Sequence, residues 1–263
     1  MKFLIQRTNG EIRHDFAFTL LENLRFRKWL NRREKKNEYI VKFVDYDDEV
    51  PEPDDIYPMP FKPFHKDYVP VGSVEFVTDF LNHFYGIVPK PVNVPPELAL
   101  RGFTQRHLIN GDEKVAENLN GKWFVKSNDK IKGYKEVHDF DVNHYTASLP
   151  KGNYQYSKYV NGIESEWRAF VYDKKLVGLQ NYSGEFTVFP NVEKIMLMIA
   201  AYKSAPIAYT LDVGVCSEYD LTFVIEVHKF HSCGLYGFNS IKYSTMLYRA
   251  FKEYLQNCNL LTT

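Results

Sequence analysis

Residues 209–229 read YTLDVGVCSEYDLTFVIEVHK: two apolar, β-branched runs on either side of a short polar link. That pattern is the signature of a β-hairpin. If the chain reverses about Tyr219, Asp212 stands opposite Glu226 and Thr210 stands opposite His228. Side chains along a strand alternate between faces with a period of two. Leu211, Val213, Val215, Phe223, Ile225 and Val227 then share a buried face, and Asp212, Glu226 and His228 share the other. Two carboxylates set directly opposite repel unless a cation or a proton lies between them. A hard divalent ion such as magnesium, held by one or two carboxylates and by phosphate oxygens, meets that need. An off-centre turn gives a blander picture, in which the acids flank a solvated sheet edge. A slip of one residue, however, places Asp212 among apolar side chains, which favours the metal face.

The rest of the chain sets bounds on this reading. Its 263 residues suffice for one large domain or two small ones packed together. Lys+Arg and Asp+Glu number 33 each, so no net field draws the protein to nucleic acid. The run from Arg25 to Lys36 is basic and reads first as a solvated helix face followed by a loop. Cys216, Cys233 and Cys258 are too few and too scattered for a disulfide framework and fit a reducing cytoplasm. The N-terminus carries charge too early for a signal peptide, and the longest apolar run, Ile195 to Ala201, is far short of a membrane span. A cytoplasmic protein with no membrane partner is expected; oligomeric state is open.

Going along the chain, Phe3 to Ile5 opens as a strand. Asp15 to Arg33 has helical spacing, with Phe18, Leu21, Leu24 and Trp29 as candidate core contacts. Tyr39 to Val44 is a second strand. Residues 45–63 are acidic and proline-rich and read as a loop. Ser73 is placed to cap a helix starting near Glu75, with Phe76, Phe80 and Phe84 on one face. Prolines 89, 91, 95 and 96 then punctuate the chain, and a domain boundary is expected near residue 100. Beyond it come a strand at Trp123–Lys126, a lysine-rich loop from Ser127 to Lys135 and a strand at Tyr154–Val160. Trp167–Tyr172 and Leu176–Asn181 form a second hairpin. A helix over Asn191–Lys203 turns Ile195, Met198, Ile199 and Tyr202 inward. Ser240 to Asn257 closes the chain as a helix on Met246, Leu247, Phe251 and Leu255.

Taken in order, the polar landmarks are Lys126, the lysine loop, Tyr159-Val160-Asn161-Gly162, Arg168, Asp212 and Glu226. Six stretches carry a family likeness: Val69 to Val77, Asn93 to Leu98, Trp123 to Lys126, Glu166 to Val171, Leu211 to Gly214 and Val224 to Val227. In this ordered set the chain resembles the ATP-grasp superfamily, most of all a clade scattered through bacterial and phage genomes. No single stretch is specific; the order of all six, from about Asp67 onward, is what carries the resemblance.

The resemblance implies an α+β ATP-grasp fold, in which two α+β subdomains clasp ATP behind an N-terminal α/β segment of pre-ATP-grasp type. Residues 1–100 would form that segment and 101–263 the ATP-grasp domain, with a nucleotide-lid part at about 116–160 and a metal part at about 161–263. It also implies roles. Lys126 and Lys132 would contact phosphates, and backbone groups at Lys158 and Tyr159 would face adenine. Arg168 would neutralise the γ-phosphate or an acyl phosphate, and Arg106 would reach substrate or nucleotide. Asp212 and Glu226 would hold Mg2+. The family has asparagine two residues after the second acid, where this chain has His228. Imidazole suits softer metals than Mg2+, so His228 would shift preference toward Mn2+, leave the ion to two carboxylates, or face substrate.

The activity so implied is a carboxylate–amine ligase that acts through an acyl phosphate, on small-molecule or peptide acids and amines. Such chemistry relies on positioning and charge, and the chain offers lysines, an arginine and paired acids for it. Two rivals are a nucleotide-binding module without ligase chemistry and a phosphotransferase. Nucleic-acid binding through the basic run ranks last. Each residue also has a plainer reading. Lys126 would be a surface lysine, Arg168 would pair with Glu166 on the same strand face, and Lys130, Lys132 and Lys135 would be ordinary loop solvation. His228, His231 and Cys233 suggest zinc, but their spacing is irregular.

Overall fold

The computed structural model describes residues 1–32, 39–47, 61, 63–141, 149–217, 221–231 and 233–260. Most of the acidic proline-rich stretch, the last part of the basic run and the turn at Tyr219 lie outside the described residues. The chain divides into two compact units. Unit 1 is Met1–Val88 with Pro206–Ala208 and Phe230–Thr263; unit 2 is Pro89–Ala205 with Tyr209–Lys229. This differs from a linear boundary near residue 100, because the closing helix belongs with the N-terminal segment.

Unit 1 is built on a parallel sheet in the order β2-β1-β3, with β1 at Lys2–Arg7, β2 at Ile40–Asp45 and β3 at Val69–Val71. Parallel neighbours require crossovers. Helix α1 (Asp15–Leu30) supplies the one between β1 and β2. Helix α2 (Val74–Tyr85) follows β3 directly, and its first turn is fixed by Ser73, whose Oγ accepts from the Phe76 amide at 3.1 Å. Phe76 and Phe80 are fully buried, as their spacing predicts.

Helix α1 corrects the sequence reading. It buries Phe16, Ala17, Leu20, Asn23 and Leu24, whereas Phe18 and Trp29 are 58% and 54% exposed. Apolar residues occupy both faces of this helix, so periodicity alone does not choose between them. The choice is made by the closing helix, α5 (Tyr243–Asn257). Asn23 donates to the Ser240 carbonyl at 2.8 Å and accepts from the Ser244 amide at 3.3 Å, which turns its face of α1 inward. Met246, Leu247, Phe251 and Leu255 of α5 are buried as expected. The described part of the basic run is a helix face: Arg25 pairs with Glu22, and Arg27 donates to the Ile241 carbonyl and to Thr245.

Unit 2 holds two four-stranded sheets. One has the order β4-β7-β5-β6, from Leu108–Asp112, Asn153–Lys158, Lys122–Ser127 and Lys135–Asp139 respectively. The other has the order β11-β10-β8-β9, from Leu221–Lys229, Ala208–Cys216, Ser165–Tyr172 and Lys175–Gly184. A short helix α3 (Arg101–Thr104) precedes β4. Strands β8 and β9 are joined through Asp173 and Lys174 at φ of 50° and 58°, the left-handed pair that a tight hairpin needs. Helix α4 (Val192–Ala201) is capped by Asn191 and turns Ile195, Met198 and Ile199 into the core of the second sheet, where Tyr202 joins them. That core also contains Trp167, Ala169, Val171, Leu211, Val213, Val215, Val224 and Val227.

The β10–β11 pairing has the expected register at its polar end: Asp212 opposes Glu226 and Thr210 opposes His228. Toward the turn a β-bulge shifts it, so that Val213 opposes Val224 and Gly214 opposes Phe223. The extra residue is Ile225, which has no partner across the ladder. The expected buried stripe of Phe223, Ile225 and Val227 holds at Phe223 and Val227 and is corrected at Ile225, which is half-buried; Val224 is buried in its place, and Val224 and Val227 enter the core of this sheet. Phe223 instead lies over Gly214, where an added Cβ would stand 2.8 Å from its ring. Only glycine leaves that space.

Candidate active site

Strands β10, β8 and β11 bring Asp212, Arg168, Glu226 and His228 together, and β5 adds Lys126. Asp212 follows Leu211 on a strand buried along its length, and its own side chain is 2% exposed. A carboxylate so placed must be paired. Arg168 meets it with Nε and Nη2, each 2.8 Å from a different carboxylate oxygen. This corrects the pairing with Glu166 read from the strand face, because β8 lies beside β10. Burial alone pushes the Asp212 carboxyl up, but the Arg168 hydrogen bonds, helped by the His228 ring, outweigh it and hold it below its usual range. Tyr182 lies under the guanidinium, 5.6 Å from the Arg168 Cζ, and burial pushes its phenol up.

Lys126 is not a surface lysine. Its Nζ pairs with Glu226 Oε2, and the two side chains are 23% and 24% exposed. Burial pulls the ammonium down to about 8, against the attraction of Asp212 and with repulsion from Lys135 and Arg168 adding to it. Lys135 stands directly opposite Lys126 in the β5–β6 ladder. Like charges in that relation are unfavourable without an anion near them. The sequence reading placed Lys135 in a loop and gave it no role; the signal was its distance from Trp123–Lys126, short enough for a hairpin.

His228 decides what the cluster can hold. Its Nε2 lies 3.1 Å from Glu226 Oε1 and 3.3 Å from Asp212 Oδ2, yet it is buried and aligned in a hydrogen bond with neither. Burial pulls the imidazole below its usual range, with Asp212 opposing. The ring faces two carboxylates, and one atom from each of the three groups lies within 4.8 Å of the others. Two carboxylates and an imidazole nitrogen so gathered are a donor set that a divalent ion fits. Among the described residues it is the one such group of histidine, cysteine and acid side chains. His231 and Cys233, suggested with His228 as zinc ligands, line a cleft of unit 1 with Phe16 and Tyr243 instead.

The other predicted residues lie as follows. Arg106 Nη1 donates to the carbonyls of Thr104 (3.0 Å) and Val224 (2.6 Å), Nη2 to that of Ile225 (3.1 Å), and Nε to Ser157 Oγ. Its guanidinium is buried and pulled down to about 10 by that burial, which leaves it charged at neutral pH. Lys158 spends its ammonium on the Asn120 carbonyl, 2.7 Å away, and lies over the Trp123 ring. The amides of Lys158 and Tyr159 donate to the carbonyls of His107 and Lys122. Lys132 is exposed, at a left-handed φ of 54°, in the connection between β5 and β6.

Two solved structures are similar to this chain. D-alanine–D-alanine ligase from Bacillus anthracis matches with a TM-score of 0.50 at 11% identity, over 97% of this chain and 96% of that one. A RimK-domain ATP-grasp protein from Sphaerobacter thermophilus matches with a TM-score of 0.47 at 11% identity, over 95% and 98%. At such identities the likeness concerns the fold alone. No curated protein matches the chain. No helix among the described residues is long and apolar enough to cross a membrane. The model of the family described as ATP-grasp domain, R2K clade family 2, matches residues 103–246, more than half of the chain, and the protein belongs to that family, with the α+β ATP-grasp fold.

Proposed function

We propose that the protein is an ATP- and divalent-metal-dependent carboxylate–amine ligase that works in a reducing cytoplasm. The observation that carries this is the cluster itself: two acids and an unpartnered imidazole nitrogen converge, with Lys126 and Arg168 beside them. Phosphoryl transfer asks for these parts and for no protein nucleophile. Asp212, Glu226 and His228 would hold the metal, Mg2+ or Mn2+. Such an ion would supply positive charge that offsets the charge of the phosphates. Lys126, with Lys135 opposite and Lys132 in the connection, would receive the triphosphate. The nucleotide would lie between a lid part at about 116–160 and a metal part at about 161–263, with adenine near Lys158 and Tyr159.

In the reaction so proposed, a substrate carboxylate oxygen attacks the γ-phosphorus and ADP leaves. Arg168 balances charge on the transferred group. The amine nitrogen then attacks the acyl carbon, the C–O bond breaks, and phosphate departs while the amine releases a proton. ADP and phosphate release should therefore require both an acid and an amine. Glu226→Gln should abolish it, and ADP formation that survives this change would sink the metal assignment. A phosphorylated product that accumulates without amine would favour the phosphotransferase. ATP binding without turnover under every acid and amine mixture would favour the plain binding module.

A further inference from the structure

We propose that Arg106 is a positioning residue, which fixes the β11 bulge and thereby keeps Glu226 on the same sheet face as Asp212. The proposal rests on the metal-site reading above. Carbonyls of successive residues in a regular strand point to opposite sides, so one side chain cannot bond two in a row. Arg106 does so: Nη1 is 2.6 Å from the Val224 oxygen and Nη2 is 3.1 Å from the Ile225 oxygen. That is the mark of the bulge, where the extra residue, Ile225, has no ladder partner. The guanidinium is itself oriented from outside β11, by the Thr104 carbonyl and by Ser157 Oγ of β7, and it lies over the Phe223 ring.

The register shows what the bulge does. Between it and the turn, Val213 pairs with Val224; on its other side, Asp212 pairs with Glu226. If the turn-side register ran on with Ile225 paired and no bulge, the pairing at the acids would change. Asp212 would then face Ile225, and Glu226 would face Leu211, which is a core residue. The second acid would be turned away from the first and toward apolar side chains. Neither Asp212 nor Glu226 touches Arg106; its action on them passes through the backbone at Val224 and Ile225. The sequence resemblance assigned Arg106 to substrate or nucleotide, and this inference gives it a different task.

The test separates metal affinity from nucleotide affinity. Mn2+ binding is read by electron paramagnetic resonance without nucleotide, and binding of a fluorescent ADP analogue is read without metal. The proteins are wild type, Arg106→Met, Arg106→Lys and Ser157→Ala. Loss of such supporting groups weakens metal binding about 10- to 100-fold. Both Arg106 variants should lose Mn2+ affinity by that factor, since lysine cannot bond two carbonyls in a fixed fork. Ser157→Ala removes one anchor only and should lose less, in the same direction; it decides the matter if the Arg106 variants do not fold. ADP affinity without metal should change by less than about twofold if the phosphate contacts are untouched. Folded variants that bind Mn2+ as wild type does would overturn the proposal, and so would a selective loss of ADP affinity. A wild type that binds no Mn2+ would instead overturn the metal reading itself, and this inference with it.

Discussion

Replacing Arg168 by methionine removes the guanidinium that meets Asp212 in two hydrogen bonds of 2.8 Å. Had this been an exposed ion pair, the cost would be about 0–1 kcal/mol. The side chains are 8% and 2% exposed, so water cannot replace the lost partner. Breaking a buried pair from one side costs roughly 3–5 kcal/mol. His228, 3.3 Å from Asp212, can take up a proton and offset part of this, which points to the lower end. The pH dependence has a definite sign. In the wild type the Asp212 pKa is depressed, so its stabilisation is present above the unfolded value of about 3.9 and is lost as pH falls through the folded value. Without Arg168, burial prevails and lifts the folded pKa above the unfolded one. The variant's penalty is then full at neutral pH and shrinks as pH falls through that raised value. Urea unfolding at pH 7 and pH 4.5, followed by tryptophan emission, reads both effects; Trp123 and Trp167 are buried in unit 2. A loss below about 1 kcal/mol at pH 7 would refute the buried-pair argument. A gap that stays constant on acidification would refute the linkage. The double variant Arg168→Met/Asp212→Leu should recover most of the stability, because no bare charge is left buried.

Three further outcomes follow from other parts of the molecule. Metal-free ADP affinity should fall as pH rises through about 8, where Lys126 loses its proton, and Lys126→Met should remove that pH dependence in a binding titration. Gly214→Ala sets a Cβ 2.8 Å from the Phe223 ring, so a thermal melt should show a loss of about 1–3 kcal/mol from overpacking. Ser73→Ala deletes the α2 cap and should cost about 1 kcal/mol by urea titration while Mn2+ affinity holds, since Ser73 belongs to unit 1 and the acids to unit 2.

The site and the fold were legible to different depths for physical reasons. Asp212 opposite Glu226 could be read because the two strands follow one another and a slipped register would bury a carboxylate. Helix α4 could be read because Ile195, Met198 and Ile199 recur at helical spacing behind the Asn191 cap, although Met196 and Leu197 between them are apolar and exposed. The inward face of α1 could not, because Asn23, which fixes it, bonds a carbonyl 217 residues away. The partner of Arg168 was missed for a related cause. Sequence offers Glu166 two places off, but the strand beside β8 is β10, more than thirty residues on, and adjacency between non-consecutive strands leaves no local trace. The bulge at Ile225 combines both cases. Three apolar residues in a row, Phe223, Val224 and Ile225, satisfy alternation in either phase, so pattern cannot say which is the extra one. The phase is settled by an arginine 118 residues earlier, bonded to the Val224 carbonyl. Hairpin register is thus written locally at the acids, where a polar side chain penalises the wrong phase, and non-locally a few residues on, where none does. It follows that a polar residue at position 224, which the core would reject, should perturb the register from the turn side as the loss of Arg106 does from the backbone side.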